Sequence, residues 1–284
     1  MKPSLKGTIL FTTAMGISGS IGFFVKLIDL TALDIVFFRS LIASITLFVY
    51  ILIFERKEFF KIDKNFKYII LTAIFLVLNW IFLFASFKHT SISIAISIYY
   101  LAPIFVMLYG VILLKEPNAT FKIFIIIIAF IGAILVSNIN FTTHTNSLKG
   151  VIYALLAAIF YALLIVVAKK IKDTKASHIA FFQTLIGTFL LIFFIDFNFN
   201  ISTIRYDIIL LIGVVHTALM YILFFRGIKD APLSIVAILG FIDPLIALLL
   251  DVIILKSHLT LYQYIGIFLI MGAIFLKSLV DKES

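Results

Sequence analysis

Residues 92–114 read ISIAISIYYLAPIFVMLYGVILL, a run of 23 residues without a charged side chain. A membrane-spanning helix needs about 20 mostly apolar residues, so this run is long enough to cross a bilayer. Pro103 lies at its centre and predicts a break, because proline lacks a backbone N–H and clashes with the preceding turn. The rest of the chain repeats the plan of apolar runs between short basic segments.

The composition excludes the water-soluble classes of protein. The 284 residues are 63% hydrophobic and 13% charged, whereas soluble domains are about 45–50% apolar and about 25% charged. This excess is too large for one water-soluble core, which argues against a soluble enzyme, a nucleic-acid-binding module and a disordered protein. Cysteine is absent, so disulfides, thiolate metal sites and cysteine nucleophiles are excluded. We expect no cofactor and no metal.

The apolar runs predict an all-α polytopic membrane protein with ten transmembrane helices. The first run follows Lys2 and Lys6 but is longer than the core of a signal peptide, so an uncleaved first helix is expected. The predicted spans are residues 6–26, 33–54, 67–87, 92–114, 120–138, 149–168, 178–197, 207–226, 232–255 and 261–279.

The distribution of Lys and Arg predicts the orientation. With the N-terminus in the cytoplasm, seventeen of the 23 basic residues fall inside and six outside, which agrees with the excess of positive charge in cytoplasmic loops. Ten spans then place both termini in the cytoplasm. The net charge of +9 is explained by this topology, and we expect a multi-pass protein of the plasma (inner) membrane with lipid contacts and no nucleic-acid partner.

The second half of the chain repeats the first, which divides it into residues 1–140 and 141–284. The offsets drift only from 143–144 at the start to 140–141 at the end. Each half contains five spans, an odd number, so the second half crosses the membrane in the inverted orientation, as in many transporters. The matches are Ser4-Leu5-Lys6-Gly7 with Ser147-Leu148-Lys149-Gly150, residues 37–42 with 181–186, Pro103 with Pro244, Lys115 with Lys256, and Gly132-Ala133-Ile134 with Gly272-Ala273-Ile274.

The whole chain resembles the EamA-type members of the ten-helix drug/metabolite transporter superfamily. The second repeat departs from the first, since Gln183 stands opposite Arg39 and Ser257 opposite Glu116. The residues that carry the resemblance are Phe38-Arg39, Asn79-Trp80, Tyr99-Tyr100-Leu101-Ala102-Pro103, Leu114-Lys115-Glu116-Pro117 and Gly132.

The resemblance implies secondary transport of small metabolites, often amino acids or related compounds and frequently as export. It also implies that spans 1–4 and 6–9 surround the substrate, with spans 5 and 10 outside. We therefore expect a transporter, not an enzyme, that moves an amino acid or amine-like metabolite by alternating access. A monomer and a homodimer are both compatible with it.

Asp243 is the most suggestive polar residue within a span, because charged groups inside the membrane are costly and commonly functional. It precedes Pro244 near the middle of the ninth span, and Pro103 marks the matching position of the fourth. We predict that Asp243 and both prolines belong to the substrate site and that Asp243 couples transport to protons. A structural carboxylate that binds disrupted backbone is the alternative.

Three further charged residues are predicted to act in gating or coupling. Arg39 and Asp251 lie at similar depths near the outer ends of their spans, so they could pair as an outer gate, although Asp34 competes for Arg39. Glu116 ends the fourth span on the cytoplasmic side. Static ion pairs and solvated helix ends are the alternatives.

Aromatic and polar residues at the middle of the spans predict the cavity lining, since ordinary membrane aromatics gather at the interfaces. His216 is a candidate for a second protonation site, with helix packing as the alternative. Together with Asp243, Pro103 and Pro244, the predicted substrate-binding residues are Ser18, Asn79, Trp80, Tyr99, Tyr100, Tyr161, His216 and Tyr221.

Three other functions compete with metabolite transport. A lipid or lipid-linked-sugar flippase would need a lateral opening, and a passive facilitator would not respond to the proton gradient. Gly16-Ile17-Ser18-Gly19 also resembles the serine motif of rhomboid-like intramembrane proteases, with His216 as the base. A protease gives no reason for the inverted duplication, which argues against this function.

Overall fold

The computed structural model describes residues 5–25, 27–55, 65–90, 92–114, 119–136, 148–195, 204–256 and 259–283, and these residues form thirteen helices and no strand. A 3-10 turn, Ile192–Phe194, extends α8, and a π-helical segment, Val214–Leu219, joins α9 to α10. The helices are α1 (Leu5–Val25), α2 (Ala32–Phe54), α3 (Phe66–Phe87), α4 (Ile92–Tyr99), α5 (Ala102–Leu114), α6 (Ala119–Val136), α7 (Leu148–Lys170), α8 (Ala176–Leu191), α9 (Tyr206–Gly213), α10 (Met220–Asp230), α11 (Leu233–Leu239), α12 (Ile242–Leu255) and α13 (Leu261–Glu283).

The described helices match the ten predicted spans within a few residues, so the all-helical membrane fold is confirmed. Seven segments are long and apolar enough to cross a membrane, and two shorter apolar helices lie within α6 and α13. The pair α4–α5 forms the fourth span, which completes the set of ten. Apolar length explains this agreement, because a helix satisfies its backbone hydrogen bonds internally and its apolar side chains tolerate lipid.

Two spans are broken where proline was expected to interrupt them. The fourth breaks between Tyr99 and Ala102, and the ninth between Leu239 and Ile242. In each break one backbone N–H donates to the carbonyl three residues earlier, as in a 3-10 turn. Leu101 donates to Ile98 in the first break, and Phe241 donates to Ile238 in the second. Proline explains both breaks, because it cannot donate to the carbonyl four residues earlier.

The main helix contacts join the two repeats and follow a twofold pattern. Helix α3 packs on α7, and the equivalent contact joins α1 to α10. Helix α2 packs on α8, its own repeat partner, as α6 does on α13, and α5 of the fourth span packs on α11 of the equivalent ninth span. The fold is therefore one bundle in which each repeat completes the packing of the other.

Two glycines show the inversion directly. A Cβ on Gly7 would lie 2.6 Å from the Cβ of Asp230, and a Cβ on Gly150 would lie 2.8 Å from the Cβ of Thr90. The start of α1 thus packs against the end of α10, and the start of α7 packs against the segment that follows α3. These two contacts are equivalent in the two repeats, and they lie at opposite ends of the bundle because α1 and α7 begin at opposite ends. We call the end where α1 begins the N-terminal face. The sequence predicts that this face is cytoplasmic.

Helices α6 and α13 lie at the edge of the bundle. Gly132 and Gly266 bring their backbones together, because a Cβ on Gly132 would lie 2.8 Å from the carbonyl oxygen of Gly266. The outward side chains are strongly exposed, with Phe124 at 57% and Phe268 at 76%. Exposed aromatics of this kind suit a lipid surface and place the fifth and tenth spans outside the centre.

Candidate functional site

A cavity of about 180 Å³ lies between the two repeats. Drug-sized ligands occupy pockets of about 300–1,000 Å³, so this cavity suits a smaller molecule. It is lined by Met15, Ser18, Arg39, Leu76, Asn79, Trp80, Tyr99, Tyr100, Ala102, Pro103, Tyr161, Leu164, Met220, Tyr221, Phe224, Gly240 and Asp243. Helix α8, the seventh span, contributes no side chain to this lining, contrary to expectation.

The structure brings together most of the residues that the sequence singled out. His216 and Pro244 do not line the cavity, although both are buried. Arg39, predicted as a gate residue, lies in the wall. The predicted substrate-binding residues that line it are Ser18, Asn79, Trp80, Tyr99, Tyr100, Pro103, Tyr161, Tyr221 and Asp243.

Helical spacing could have found most of the lining residues that sequence reasoning missed. Side chains three or four residues apart share one face of a helix. Met15 precedes Ser18 by three residues, and Phe224 follows Tyr221 by three. Leu76, Leu164 and Gly240 each lie three residues from a predicted member. Ala102 and Met220 are sequence neighbours of predicted members.

Repeat-equivalent positions build the cavity, but their side chains differ. Trp80 and Tyr221 are 141 positions apart and both line it. Ala102 and Asp243 share the same offset, so one half contributes a methyl group where the other contributes a carboxylate. The duplication explains why equivalent positions of both repeats line the cavity. Because the side chains at these positions differ, the carboxylate comes from the second repeat alone at the pair Ala102 and Asp243.

Arg39 is held in the wall by groups from three directions. Its Nε donates to Oγ1 of Thr217 at 3.2 Å. Its guanidinium carbon lies 5.4 Å from the centre of the Trp80 ring, and the Tyr221 side chain interacts with the same group. An aromatic face attracts a cation in this geometry. Asp34, the expected competitor, instead forms a capping box with Thr31 at the start of α2 and is not its partner.

Asp243 faces the cavity from the first turn of α12. The Ser18 hydroxyl donates to its Oδ2 at 3.4 Å, which is a long hydrogen bond. Gly19 permits this approach, because a Cβ there would lie 2.9 Å from the Cβ of Ile246 and would also meet Asp243. Helix α1 of the first repeat therefore contacts the carboxylate of the second.

His216 has a different partner from the one that the protease hypothesis required. Its Nε2 lies 2.9 Å from Oγ of Ser20, whereas Ser18 is bound to Asp243. The Ser20 hydroxyl also donates to the carbonyl of Ile17 at 2.8 Å. The Ser18–His216 dyad is not formed in this structure, because His216 contacts α1 two residues beyond Ser18.

Three aromatic rings pack side by side in the cavity lining. The Tyr99 and Tyr161 ring centroids are 5.7 Å apart, and those of Tyr161 and Phe224 are 6.5 Å apart. Asn79 fixes one end, since its Nδ2 donates to the carbonyl of Ala157 at 2.8 Å and to the Tyr99 hydroxyl at 3.2 Å. Asn79 is 1% exposed, so it orients Tyr99 more than it offers a free amide.

Polar contacts tie the repeats together at the N-terminal face. Glu55, at the end of α2, accepts a hydrogen bond of 2.6 Å from Ser177 and lies 3.2 Å from Nε2 of His178 and 3.6 Å from Nζ of Lys175. Helix α8 has no side-chain cap of its own, and the carboxylate lies at its N-terminus, where negative charge is favourable. Asn65 adds a bond of 3.1 Å to Thr174.

Two predicted gate residues lie outside the described part of the structure. Glu116 falls between α5 and α6, and the side chain of Asp251 falls within α12. The proposed pairing of Arg39 with Asp251 therefore stays a prediction. The contacts that are described for Arg39 are those with Thr217, Trp80 and Tyr221.

Comparison with known proteins agrees with the fold. The EamA-like transporter family matches residues 5–138 and again residues 148–279. A protein of Bacillus subtilis (strain 168) named uncharacterized transporter YxxF is 34% identical over 99% of this chain and 92% of its own length. An uncharacterized transporter of Archaeoglobus fulgidus is 25% identical over 90% of each chain.

A solved crystal structure shares the fold with a TM-score of 0.85 at 14% identity, covering 99% of this chain and 100% of that one. At this identity the likeness concerns the fold alone. The family match covers both repeats, and with the ten apolar spans it leads to one conclusion. This chain belongs to the EamA-like transporter family and is a multi-pass membrane transporter.

Proposed function

We propose that the protein is a secondary active transporter that moves a small amino acid or amine-like metabolite by alternating access and is coupled to protons through Asp243. The observation that carries this proposal is the cavity between the inverted repeats, which both halves line and which contains a carboxylate. Inverted repeats support alternating access, because they can exchange conformations around a central site.

The broken helices support the same mechanism. Both breaks lie beside the cavity, since Tyr100 and Gly240 line it. Discontinuous helices at this depth commonly provide polar backbone near a substrate, and they are tolerated where they face protein or a water-filled cavity. They also let each half of a span move separately.

The polar contacts at the N-terminal face suit a closed gate. Glu55 belongs to the first repeat and Ser177 to the second, so separation of the repeats at this face breaks their 2.6 Å hydrogen bond. Such bonds are exchanged for water at small net cost, whereas an apolar seal resists opening. We propose that this face, predicted to be cytoplasmic, opens in the alternate state.

Reconstituted proteoliposomes test the function. Vesicles are loaded with one of the twenty amino acids or a set of primary amines, and counterflow of the labelled compound is measured with and without an imposed pH difference. We expect saturable counterflow, and net flux that reverses when the pH difference is reversed. Asp243→Asn should lose the response to the pH difference, while counterflow at saturating substrate persists with a raised KM, since exchange needs no net proton movement.

Each competing function gives a different result. Saturable flux that ignores the pH difference in the wild-type protein would contradict proton coupling and favour a facilitator. Translocation of a fluorescent phospholipid without counterflow of any amino acid or amine would favour a flippase. Asp207→Asn is the matched control, because Asp207 is an exposed carboxylate paired with Arg205 at the start of α9.

A further inference from the structure

Two opposite charges line the cavity without pairing with each other. Arg39 is bound to Thr217 and Trp80, and Asp243 is bound to Ser18. Among the described residues no ion pair joins the two side chains, although both line the same cavity. Charges removed from bulk water are costly unless a partner compensates them, so this arrangement favours a ligand that brings both partners.

We infer that Arg39 and Asp243 form the two ends of a zwitterion site, so that the transported molecule is an amino acid with a small apolar side chain and not a simple amine. This inference rests on the proposed transport function. The carboxylate of the ligand binds the guanidinium of Arg39, and its ammonium group binds the carboxylate of Asp243.

The surroundings of Arg39 suit a carboxylate. Thr217 uses the Nε hydrogen, and guanidinium groups bind carboxylates through their paired N–H groups. The Trp80 face restrains the guanidinium on one side, which limits the rotamer freedom that binding would otherwise remove. Thr217 is itself fixed, because its hydroxyl donates to the carbonyl of Ile212 at 2.9 Å. Arg39 is thus held in place before a ligand arrives.

Charge balance separates an amino acid from an amine. A zwitterion keeps the sum of charges in the cavity unchanged and pairs both side chains. An amine pairs Asp243 but brings no counter-charge to Arg39 and adds a second cation to the cavity, and an acid does the reverse. Specificity of this kind comes from the penalty on the wrong ligand as much as from the contacts of the right one.

The remaining wall and volume limit the side chain of the ligand. Tyr161 and Phe224 contribute aromatic rings to the lining, and Leu76 and Leu164 add aliphatic surface. The cavity of about 180 Å³ is smaller than the pockets of about 300–1,000 Å³ that hold drug-sized ligands. This space suits an amino acid with a short apolar side chain.

Binding to purified protein tests the inference with three matched probes. Each of the twenty amino acids is titrated by calorimetry, and the tightest is compared with its decarboxylated amine and its deaminated acid, such as leucine, 3-methylbutylamine and 4-methylpentanoate. We expect the amino acid to bind at least about tenfold more tightly than either analogue, a difference of about 1.4 kcal/mol. An amine that binds as tightly as its amino acid, or folded protein that binds no amino acid, overturns the inference.

Two variants assign the charges. Arg39→Met should lower the affinity for the amino acid at least tenfold and leave the affinity for the amine unchanged or higher, whereas Asp243→Asn should weaken the amine and the amino acid together. Arg205→Met is the control, because Arg205 is exposed and pairs with Asp207. If Arg39→Met does not fold, Arg39→Lys keeps the charge but loses the fork geometry and should weaken only carboxylate-bearing probes. Equal loss of amine and amino acid in an Arg39 variant contradicts the assignment.

Counterflow separates this inference from the transport proposal. Counterflow of amines that is insensitive to Arg39 would leave the transporter standing and remove the zwitterion site. Binding of an amino acid that depends on Arg39, without any counterflow, would keep the site and remove transport.

Discussion

The guanidinium carbon of Arg39 lies 5.4 Å from the ring centre of Trp80, which places a cation of α2 on an aromatic face of α3 in the wall of the cavity. Because Trp80 is only 7% exposed, the contact is shielded from water on one side. Partial desolvation strengthens an attraction between a cation and a ring. The contact with Trp80 therefore helps to fix the position of the Arg39 guanidinium in the cavity lining.

Removing the Trp80 ring should weaken ligand binding without abolishing it. Trp80→Leu loses an attraction of about 1 kcal/mol, which corresponds to roughly a fivefold loss of affinity for the amino acid. Trp80→Phe retains a ring and should lose less. Calorimetric titration of both variants measures the effect, and equal affinities of wild type and Trp80→Leu would show that Arg39 does not depend on the ring.

Thr217 should act as a positioning residue for Arg39. Thr217→Val keeps the shape but removes the hydroxyl that Nε donates to, so we expect a raised KM for transport with a smaller change in the maximal rate. Thr217→Ser retains the hydroxyl and should restore the KM. Thr184→Val is the control, because the hydroxyl of Thr184 bonds carbonyls of its own helix. An unchanged KM in Thr217→Val, with transport intact, would argue against this role.

The glycines of α1 should differ sharply in their tolerance of alanine. A Cβ at Gly19 would lie 2.9 Å from the Cβ of Ile246, whereas a Cβ at Gly16 meets nothing within 4 Å. We expect Gly19→Ala to lower the free energy of unfolding by about 1–3 kcal/mol through overpacking and Gly16→Ala to be neutral or stabilising. Thermal melting in detergent compares the two. Equal melting temperatures would mean that α1 can shift away from α12 at no cost.

Cross-linking should test the gate at the N-terminal face. The chain contains no cysteine, so Glu55→Cys and Ser177→Cys introduce the only thiols. A short bifunctional thiol reagent that can be cleaved by reductant should join α2 to α8 and stop counterflow, and reductant should restore it. Each single variant is treated in the same way as a control. Full counterflow in cross-linked protein would show that this face does not open.

Much of the fold was predictable from local pattern. The ten apolar runs, the basic segments and the two prolines each act over one span, since apolar length and a missing N–H have their effect wherever the span packs. The family match confirms the resemblance that Arg39, Trp80 and Pro103 helped to carry. The mid-span aromatics also came together as expected, because equal depth in two inverted halves places them near one centre.

Partner choice could not be predicted in the same way. Depth alone suggested Asp34 or Asp251 as the partner of Arg39. Asp34 instead caps α2, and Thr217 of the π-helical segment in the eighth span is a described partner of Arg39, while the pairing with Asp251 stays a prediction. In the same π-helical segment, His216 contacts Ser20, whereas Ser18 donates to Asp243. Nothing in residues 214–219 marks this irregular turn in advance.

The sequence therefore determined the features that depend on one stretch of chain, and the tertiary structure decided the contacts between distant stretches. By itself the sequence determined the membrane environment, the number of spans, the duplication with its inversion, and the positions of the two helix breaks. These depend on composition and spacing along one chain. Only the tertiary structure decided that Arg39 and Asp243 share a cavity without pairing and that Glu55 joins α8, because these contacts depend on helix rotation about its axis. A single extra residue in one turn alters that rotation.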